Sequence, residues 1–248
     1  MIRTLGFSPE DSTSILSLSL AVPAGLSLSA AGDLGGRGEA ARARRRAFLH
    51  RVGRSGPYAR LDQRHTRRVF VVSGDGASAA AAASPIVRPG DGLDAGDGML
   101  TDAAVTLCVT VADCMPIYLY DRRTGAKGLL HSGWRGTGIL ARALFMMAEH
   151  FGSRRRDLQV ILGPCIGSCC YNVDKDRARL FAALWGRDAV VERKGVPYLD
   201  LRAANEAILS AMGVDGVTVV TDCTSCGGPY GSFRRDGPDR YGHMLAWV

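Results

Sequence analysis

Two side chains near the middle of the chain have the types and spacing for chemistry. Cys114 follows Asp113 just after the strand-like stretch Val105–Ala112, and His131 closes the stretch Ala126–His131. Met115–Tyr120 and Ala126–His131 read as the two strands of a hairpin with Arg122–Gly125 as its loop. In that register Asp121 pairs with Ala126 and Pro116 lies opposite His131. Cys114, two residues before Pro116, then shares a sheet face with His131 on the diagonal, where side-chain tips can converge. A thiol and an imidazole so placed are either two metal ligands or a nucleophile and its base. Asp113, beside the thiol, has three roles open to it: orienting His131, moving a proton, or capping the turn.

The segment beginning at His131 is also suited to chemistry. His131-Ser-Gly-Trp-Arg135-Gly136-Thr-Gly138 reads as a glycine-rich turn opening a helix at about Thr137. Backbone N–H groups at such a turn favour anions, and Arg135 would add a bidentate contact. A third metal ligand has to come from the remaining histidines. His50 and His150 fall near helix ends and His243 begins the last strand, which leaves His65, just ahead of the strand Val69–Ser73. Cys223-Thr-Ser-Cys226 has the form of a zinc or redox pair, but Cys169-Cys170 is adjacent rather than spaced by two. Those four are either a tetracysteine zinc site or, as the irregular spacing favours, small packing residues.

The elements that must position these residues are set by periodicity. Strands are expected at Val69–Ser73, Val105–Ala112, Met115–Tyr120, Ala126–His131, Leu158–Leu162, Val217–Thr221 and His243–Val248. Helices are expected at Glu39–Val52, Thr137–Phe151, Asp174–Trp185 and Leu201–Met212, the last two ending at Gly186 and Gly213. Ala77–Ala83 reads as a loop or short surface helix. Strands and helices mix without regular alternation, which implies an α/β (α+β) sandwich with mixed sheets flanked by helices, one domain over residues 1–248.

The 248 residues are 46% hydrophobic, enough for an ordinary core and too many for a disordered chain. Only five histidines are present, against the roughly ten that a multicopper oxidase needs, so one mononuclear site is the most they allow. The seven cysteines are an odd count, which argues against a disulfide scaffold. Glu10 and Asp11 stand where a signal peptide would be basic, and no apolar run approaches a membrane span. A soluble, cytoplasmic protein is expected. The net charge of +7 gathers in Arg42, Arg44, Arg45 and Arg46 and in Arg154–Arg156. These read as solvated helix faces rather than a nucleic-acid surface, since no recognition motif accompanies them.

Six motifs in one order carry a resemblance. They are Asp97-Gly-Met-Leu-Thr101, Thr110-Val-Ala-Asp-Cys114, His131-Ser-Gly-Trp-Arg-Gly136, Leu162-Gly-Pro-Cys-Ile-Gly-Ser-Cys-Cys-Tyr171, Cys223-Thr-Ser-Cys226 and Ser232-Phe-Arg-Arg-Asp-Gly237. Together they resemble the YfiH/laccase-domain family, whose members include bacterial purine nucleoside phosphorylases long described as polyphenol oxidases. The likeness covers residues 60–248 and is least in residues 1–57. It implies one zinc per chain, in preference to copper, held by His65, Cys114 and His131. It also implies phosphorolysis of adenosine, inosine or guanosine to the base and ribose-1-phosphate, with adenosine deamination as a side activity. Cys114, His131 and Asp113 would be catalytic and Arg135 and Arg235 would hold phosphate. The partners would then be a small nucleoside and phosphate, with no nucleic acid and no membrane. Two other classes stay open: a Cys-His hydrolase acting on a cell-wall nucleotide precursor, and a non-catalytic nucleoside- or partner-binding member. Arg64 and Thr66, which flank His65 where the family has Val and Gly, are the feature favouring the last.

Overall fold

A computed structural model describes residues 3–5, 14–74, 86–87 and 90–248. The alanine-rich Ala77–Ala83 stretch lies outside the described residues. In chain order the strands are β1 (Arg3–Leu5), β2 (Ile15–Leu18), β3 (Ala24–Ser27), β4 (Tyr58–Asp62), β5 (Val69–Val72), β6 (Ile86–Val87), β7 (Gly90–Ala95) and β8 (Gly98–Thr101). They continue with β9 (Thr106–Val111), β10 (Met115–Asp121), β11 (Lys127–Ser132), β12 (Leu158–Leu162), β13 (Val190–Arg193), β14 (Val196–Leu199), β15 (Val217–Val220) and β16 (Met244–Trp247). The helices are α1 (Glu39–Arg51), α2 (Ile139–Phe151), α3 (Lys175–Trp185), α4 (Leu201–Ala211) and the single turn α5 (Phe233–Asp236).

One sheet runs β1-β15-β12-β10-β11-β8-β5-β6, a second runs β2-β3-β16-β9-β4-β7, and β13-β14 form a separate ribbon. Parallel and antiparallel pairs occur in both large sheets, giving the expected mixed α/β sandwich. Three packed layers of side chains hold it together. Leu26, Leu61, Val109, Tyr118 and Leu129 fill the space between the sheets. Ile117, Leu130, Leu140 and Ile208 join the first sheet to α2 and α4. Phe48, Leu245 and Trp247 join the second sheet to α1. Strand β10 is covered on both faces, so Ile117 and Leu119 face the helices while Tyr118 faces the other sheet. That is why it reads as a continuous apolar run rather than an alternation.

The elements missed by periodicity are those that tertiary contacts impose. β3 contains Gly25, where a Cβ would stand 2.4 Å from the Trp247 ring, so close sheet contact selects glycine over a strand former. β7 is Gly-Asp-Gly-Leu-Asp-Ala, a loop by propensity, held as a strand by irregular parallel pairing with β4. Of the α1 arginines, Arg42, Arg44 and Arg46 are exposed as expected, and Arg45 is the exception. Arg45 is fully buried, paired with Asp91 at 2.7 Å and donating to the carbonyls of Leu34, Gly35 and Gly36. Asp91 in turn accepts from Arg60 Nε at 2.9 Å and Tyr58 Oη at 2.8 Å. A buried guanidinium with its carboxylate and three carbonyl acceptors pins the 34–37 loop and so presents Arg37. Arg154–Arg156 fall beyond Gly152, the left-handed cap of α2, and not within its last turn.

Candidate metal centre and substrate cavity

The expected hairpin register is the observed one. Pro116 lies opposite His131, and the Asp121 N–H donates to the Ala126 carbonyl at 2.8 Å. Cys114 stands in the turn from β9 to β10, His131 near the end of β11, and His65 in the loop from β4 to β5. One potential ligand atom from each of the three lies within 4.8 Å of the others. The two imidazoles meet edge to face with centroids 4.9 Å apart.

The residue that assembles them is Asp97, in the turn between β7 and β8 and fully buried. Its Oδ1 accepts from His131 Nδ1 at 2.8 Å and from the His65 backbone N–H at 3.0 Å. Its Oδ2 accepts from the backbone N–H groups of Arg64 and Thr66 and from the Thr66 hydroxyl. One carboxylate therefore fixes the His131 ring, leaving Nε2 for a metal, and ties down the loop carrying the other histidine. The loop needs restraint, because His65 has φ 58, the left-handed region that costs a β-substituted residue about 1 kcal/mol or more. Gln63 supplies a second anchor by exchanging hydrogen bonds with the Thr110 N–H and carbonyl at 2.8 Å each. Gly133 leaves the space: a Cβ there would stand 2.7 Å from Cys114 Sγ and 3.4 Å from His65 Cδ2.

The electrostatics suit a ligand thiolate. Burial alone would raise the Cys114 pKa. The charge of His131 and hydrogen bonds from His131 and His65 outweigh it and bring the thiol down to about 6. For His131 burial would lower the value, but the Cys114 charge and the Asp97 hydrogen bond push it up to about 10. Asp97 keeps its negative charge because hydrogen bonds from His131 and Thr66 overcome burial and hold it below the usual carboxylate range. Two imidazoles and a thiolate, mutually in reach and individually braced, match the donor set and outer partners of a three-ligand metal centre with a position left open.

Asp113 does not orient His131. It has φ 80 in the β9–β10 turn, and both of its oxygens are engaged elsewhere, Oδ1 by the Thr224 hydroxyl at 2.6 Å and Oδ2 by the Arg234 N–H at 2.7 Å. It lines the cavity as a strut between chain segments. Neither arginine expected to hold an anion faces the cavity. Arg135 is exposed and lies over the Trp134 ring, 5.2 Å from its centroid. Arg235 is spent on the carbonyls of Thr224 and Tyr230 and on Asp236. Its neighbour Arg234 faces inward instead, since successive helical positions point about 100° apart. The glycine-rich turn also closes on itself, with the N–H groups of Thr137 and Ile139 donating to Gly133 and Gly136. The helix begins two residues later than expected, at Ile139.

The cavity has a volume of about 580 Å³, with His65, Cys114 and His131 on one wall. Arg37, Arg60, Arg177 and Arg234 line it, with Arg37 paired to Asp62, Arg60 to Asp91, and Arg234 donating to the Cys170 carbonyl and Asn172 Oδ1, and Trp134, Tyr171, Phe233 and Tyr241 supply aromatic faces. Periodicity points to none of these. Asp97 acts across 31 to 34 residues of sequence, and Arg37 depends on the buried Arg45 behind it. Among the four cavity arginines, Arg37, Arg60, Arg177 and Arg234, only Arg234 stands within a motif, next to the Arg235 that the motif suggested.

Comparison with known proteins places the chain in a family and a fold. The family described as multi-copper polyphenol oxidoreductase laccase matches residues 22–248. A relative from Geobacillus stearothermophilus named purine nucleoside phosphorylase YlmD is 39% identical over 61% of this chain and 59% of its own length. Purine nucleoside phosphorylases of Deinococcus radiodurans and Mycobacterium tuberculosis are 34% and 32% identical over 62% and 63% of the chain. The chain thus spans about three-fifths of the length of the curated relatives it matches. Among solved structures, the hypothetical protein YfiH of Bacillus licheniformis superposes with TM-score 0.78 at 28% identity over 96% of both chains. YlmD of Geobacillus stearothermophilus superposes with TM-score 0.76 at 29% identity, covering 91% of this chain and 90% of that one.

Proposed function

Because the chain belongs to the family described as multi-copper polyphenol oxidoreductase laccase, we propose that it is a metal-dependent purine nucleoside phosphorylase, as relatives across that family are named. The supporting observation is the cavity itself, which is lined by a two-histidine, one-thiolate cluster, by four arginines and by aromatic rings. Its volume of about 580 Å³ suits a nucleoside together with phosphate. Five histidines are too few for a multicopper centre, and zinc fits the mixed nitrogen and sulfur donor set. His65, Cys114 and His131 would hold that ion, whose contribution when bound is Lewis acidity toward a substrate oxygen.

The chain's own residues account for the rest. Arg37, Arg177 and Arg234 hold and orient phosphate, while Tyr171, Phe233 and Tyr241 offer faces for the purine. A phosphate oxygen forms a bond to C1′ as the C1′–N9 bond breaks. The purine leaves with the bonding electron pair and takes up a proton, and ribose-1-phosphate remains. Zinc-loaded protein given inosine and phosphate should yield hypoxanthine and ribose-1-phosphate by chromatography. No product, in a preparation shown to contain zinc, overturns the proposal. With adenosine and no phosphate, appearance of inosine would register the deaminase side activity.

One observation favours a second reading. Cys114, His131 and Asp97 also stand as nucleophile, base and orienting carboxylate, the arrangement of a thiol hydrolase. Chelation separates the two: a nucleophilic cysteine keeps its activity in chelator and is alkylated at once. A ligand thiolate is protected until the metal is removed, and activity leaves with the metal.

A further inference from the structure

Outside the cavity wall a second group of sulfurs meets. Cys169 and Cys170 lie in the loop after β12, and Cys223 and Cys226 in the loop after β15. These strands are parallel neighbours, so their C-terminal loops emerge side by side, and a bridge between Cys165 and Cys223 extends the pairing. The four Sγ atoms all lie within 4.8 Å of one another, with Cys226 3.3 Å from Cys169 and 3.5 Å from Cys170. Packing accounts for at most two of them, Cys170 and Cys223, which are partly buried against the core. Cys108 and Cys165 are buried, as core cysteines should be, whereas Cys169 and Cys226 are exposed.

We propose that Cys169, Cys170, Cys223 and Cys226 bind one zinc ion as a closed tetrathiolate site, separate from the cavity centre. A tetrahedral zinc with sulfurs at ~2.3 Å sets them about 3.8 Å apart; the two shortest contacts, 3.3 and 3.5 Å, fall a little inside that value and no pair is beyond 4.8 Å. An iron–sulfur cluster would hold its cysteines farther apart than a single ion does. Four thiolates fill the coordination sphere, so the ion is structural and takes no substrate.

The surroundings are built for anionic sulfur. The Gly167 N–H donates to Cys223 Sγ at 3.2 Å. A Cβ at Gly167 would stand 3.2 Å from Cys169 Sγ and 3.3 Å from a guanidinium nitrogen of Arg202, so glycine lets amide, sulfur and guanidinium crowd together. The adjacent pair Cys169-Cys170 sits within a tight turn, where the Cys170 N–H donates back to Gly167 and both sulfurs can reach one point. The first loop lines the cavity, and the second holds a residue that does. One carries Ile166 and Tyr171, and in the other the Thr224 hydroxyl holds Asp113. An ion here would staple the two loops from behind.

The test uses the full chain with C114S, which removes the thiolate of the cavity centre. Loaded with cobalt under reducing, oxygen-free conditions, it should take up one ion per chain with intense sulfur-to-cobalt charge-transfer absorption. Adding C226S should lower occupancy at limiting metal at least tenfold and remove that absorption. Should either variant misfold by circular dichroism, the unaltered zinc-loaded chain decides. Alkylation followed by mass spectrometry should find all four cysteines protected until a chelator is added. Rapid alkylation of these cysteines in zinc-loaded protein overturns the proposal. So does a Cys169–Cys226 disulfide in chain purified with zinc and reductant.

Discussion

The two cysteine-containing clusters solve the same coordination problem in opposite ways. His65, Cys114 and His131 come from three separate segments, and each is braced by something else. Asp97 holds both the left-handed backbone at His65 and the His131 ring, and the gap at Gly133 admits Cys114. The four cysteines come from two neighbouring loops, with one amide and one nearby guanidinium as support. Three donors leave room for a substrate atom, and an incomplete coordination sphere does not hold its own ligands in place. Orientation must therefore be supplied from outside the ligand set. Four donors complete the sphere and orient one another through the ion. An open centre is thus recognised by its outer partners as much as by its ligands.

Variants test that contrast. H131A or C114A should cost more phosphorolysis and zinc occupancy than the ~10–100-fold typical of an outer partner. C169S should leave the cavity centre loaded, and equal loss from both kinds of variant would end the distinction. D97N keeps the size of the side chain and removes its charge. Zinc affinity measured by chelator competition should fall ~10–100-fold, with faster amide exchange at residues 64–66.

The metal-stripped chain gives a pH signature. With its pKa near 6, Cys114 is mostly thiolate at pH 7, about thirtyfold more so than an ordinary thiol of pKa ~8.5. Its labelling by iodoacetamide should fall as pH drops through 6. Cys165, pushed up to about 12 by burial, should stay unlabelled, as should Cys108, pushed higher still by burial and Asp91. The smallest effect concerns the arginines. R177A should raise the KM for phosphate roughly tenfold, the worth of one charge-assisted hydrogen bond. R135A should leave it unchanged, and the reverse ordering would return the anion to the glycine-rich turn.

Legibility from sequence tracks physical range. The hairpin register is set by a short loop between two apolar runs, and it places Cys114 beside His131 because such pairing is local. The long helices are readable to within one or two residues for the same reason. Asp97 is visible as part of a motif but its role is not, since all the partners of its carboxylate lie more than thirty residues away. Arg45 reads as solvated because nothing nearby in sequence announces Asp91, which reaches it through β7, itself loop-like by propensity. The adjacent Cys169-Cys170 looks wrong for a metal because neighbouring side chains of an extended chain point to opposite sides. A tight turn brings both sulfurs to one side.

The sharing of one carboxylate between His131 and the 64–66 loop has a consequence for how metal is lost. A chelator that frees His65 must lift a backbone whose left-handed strain is balanced by the same oxygens that hold His131. Movement of the 64–66 loop is therefore felt by His131, because the His65 N–H and His131 Nδ1 share one oxygen of Asp97. Extraction from this centre should proceed as a single kinetic step, with loop release and metal departure sharing one rate.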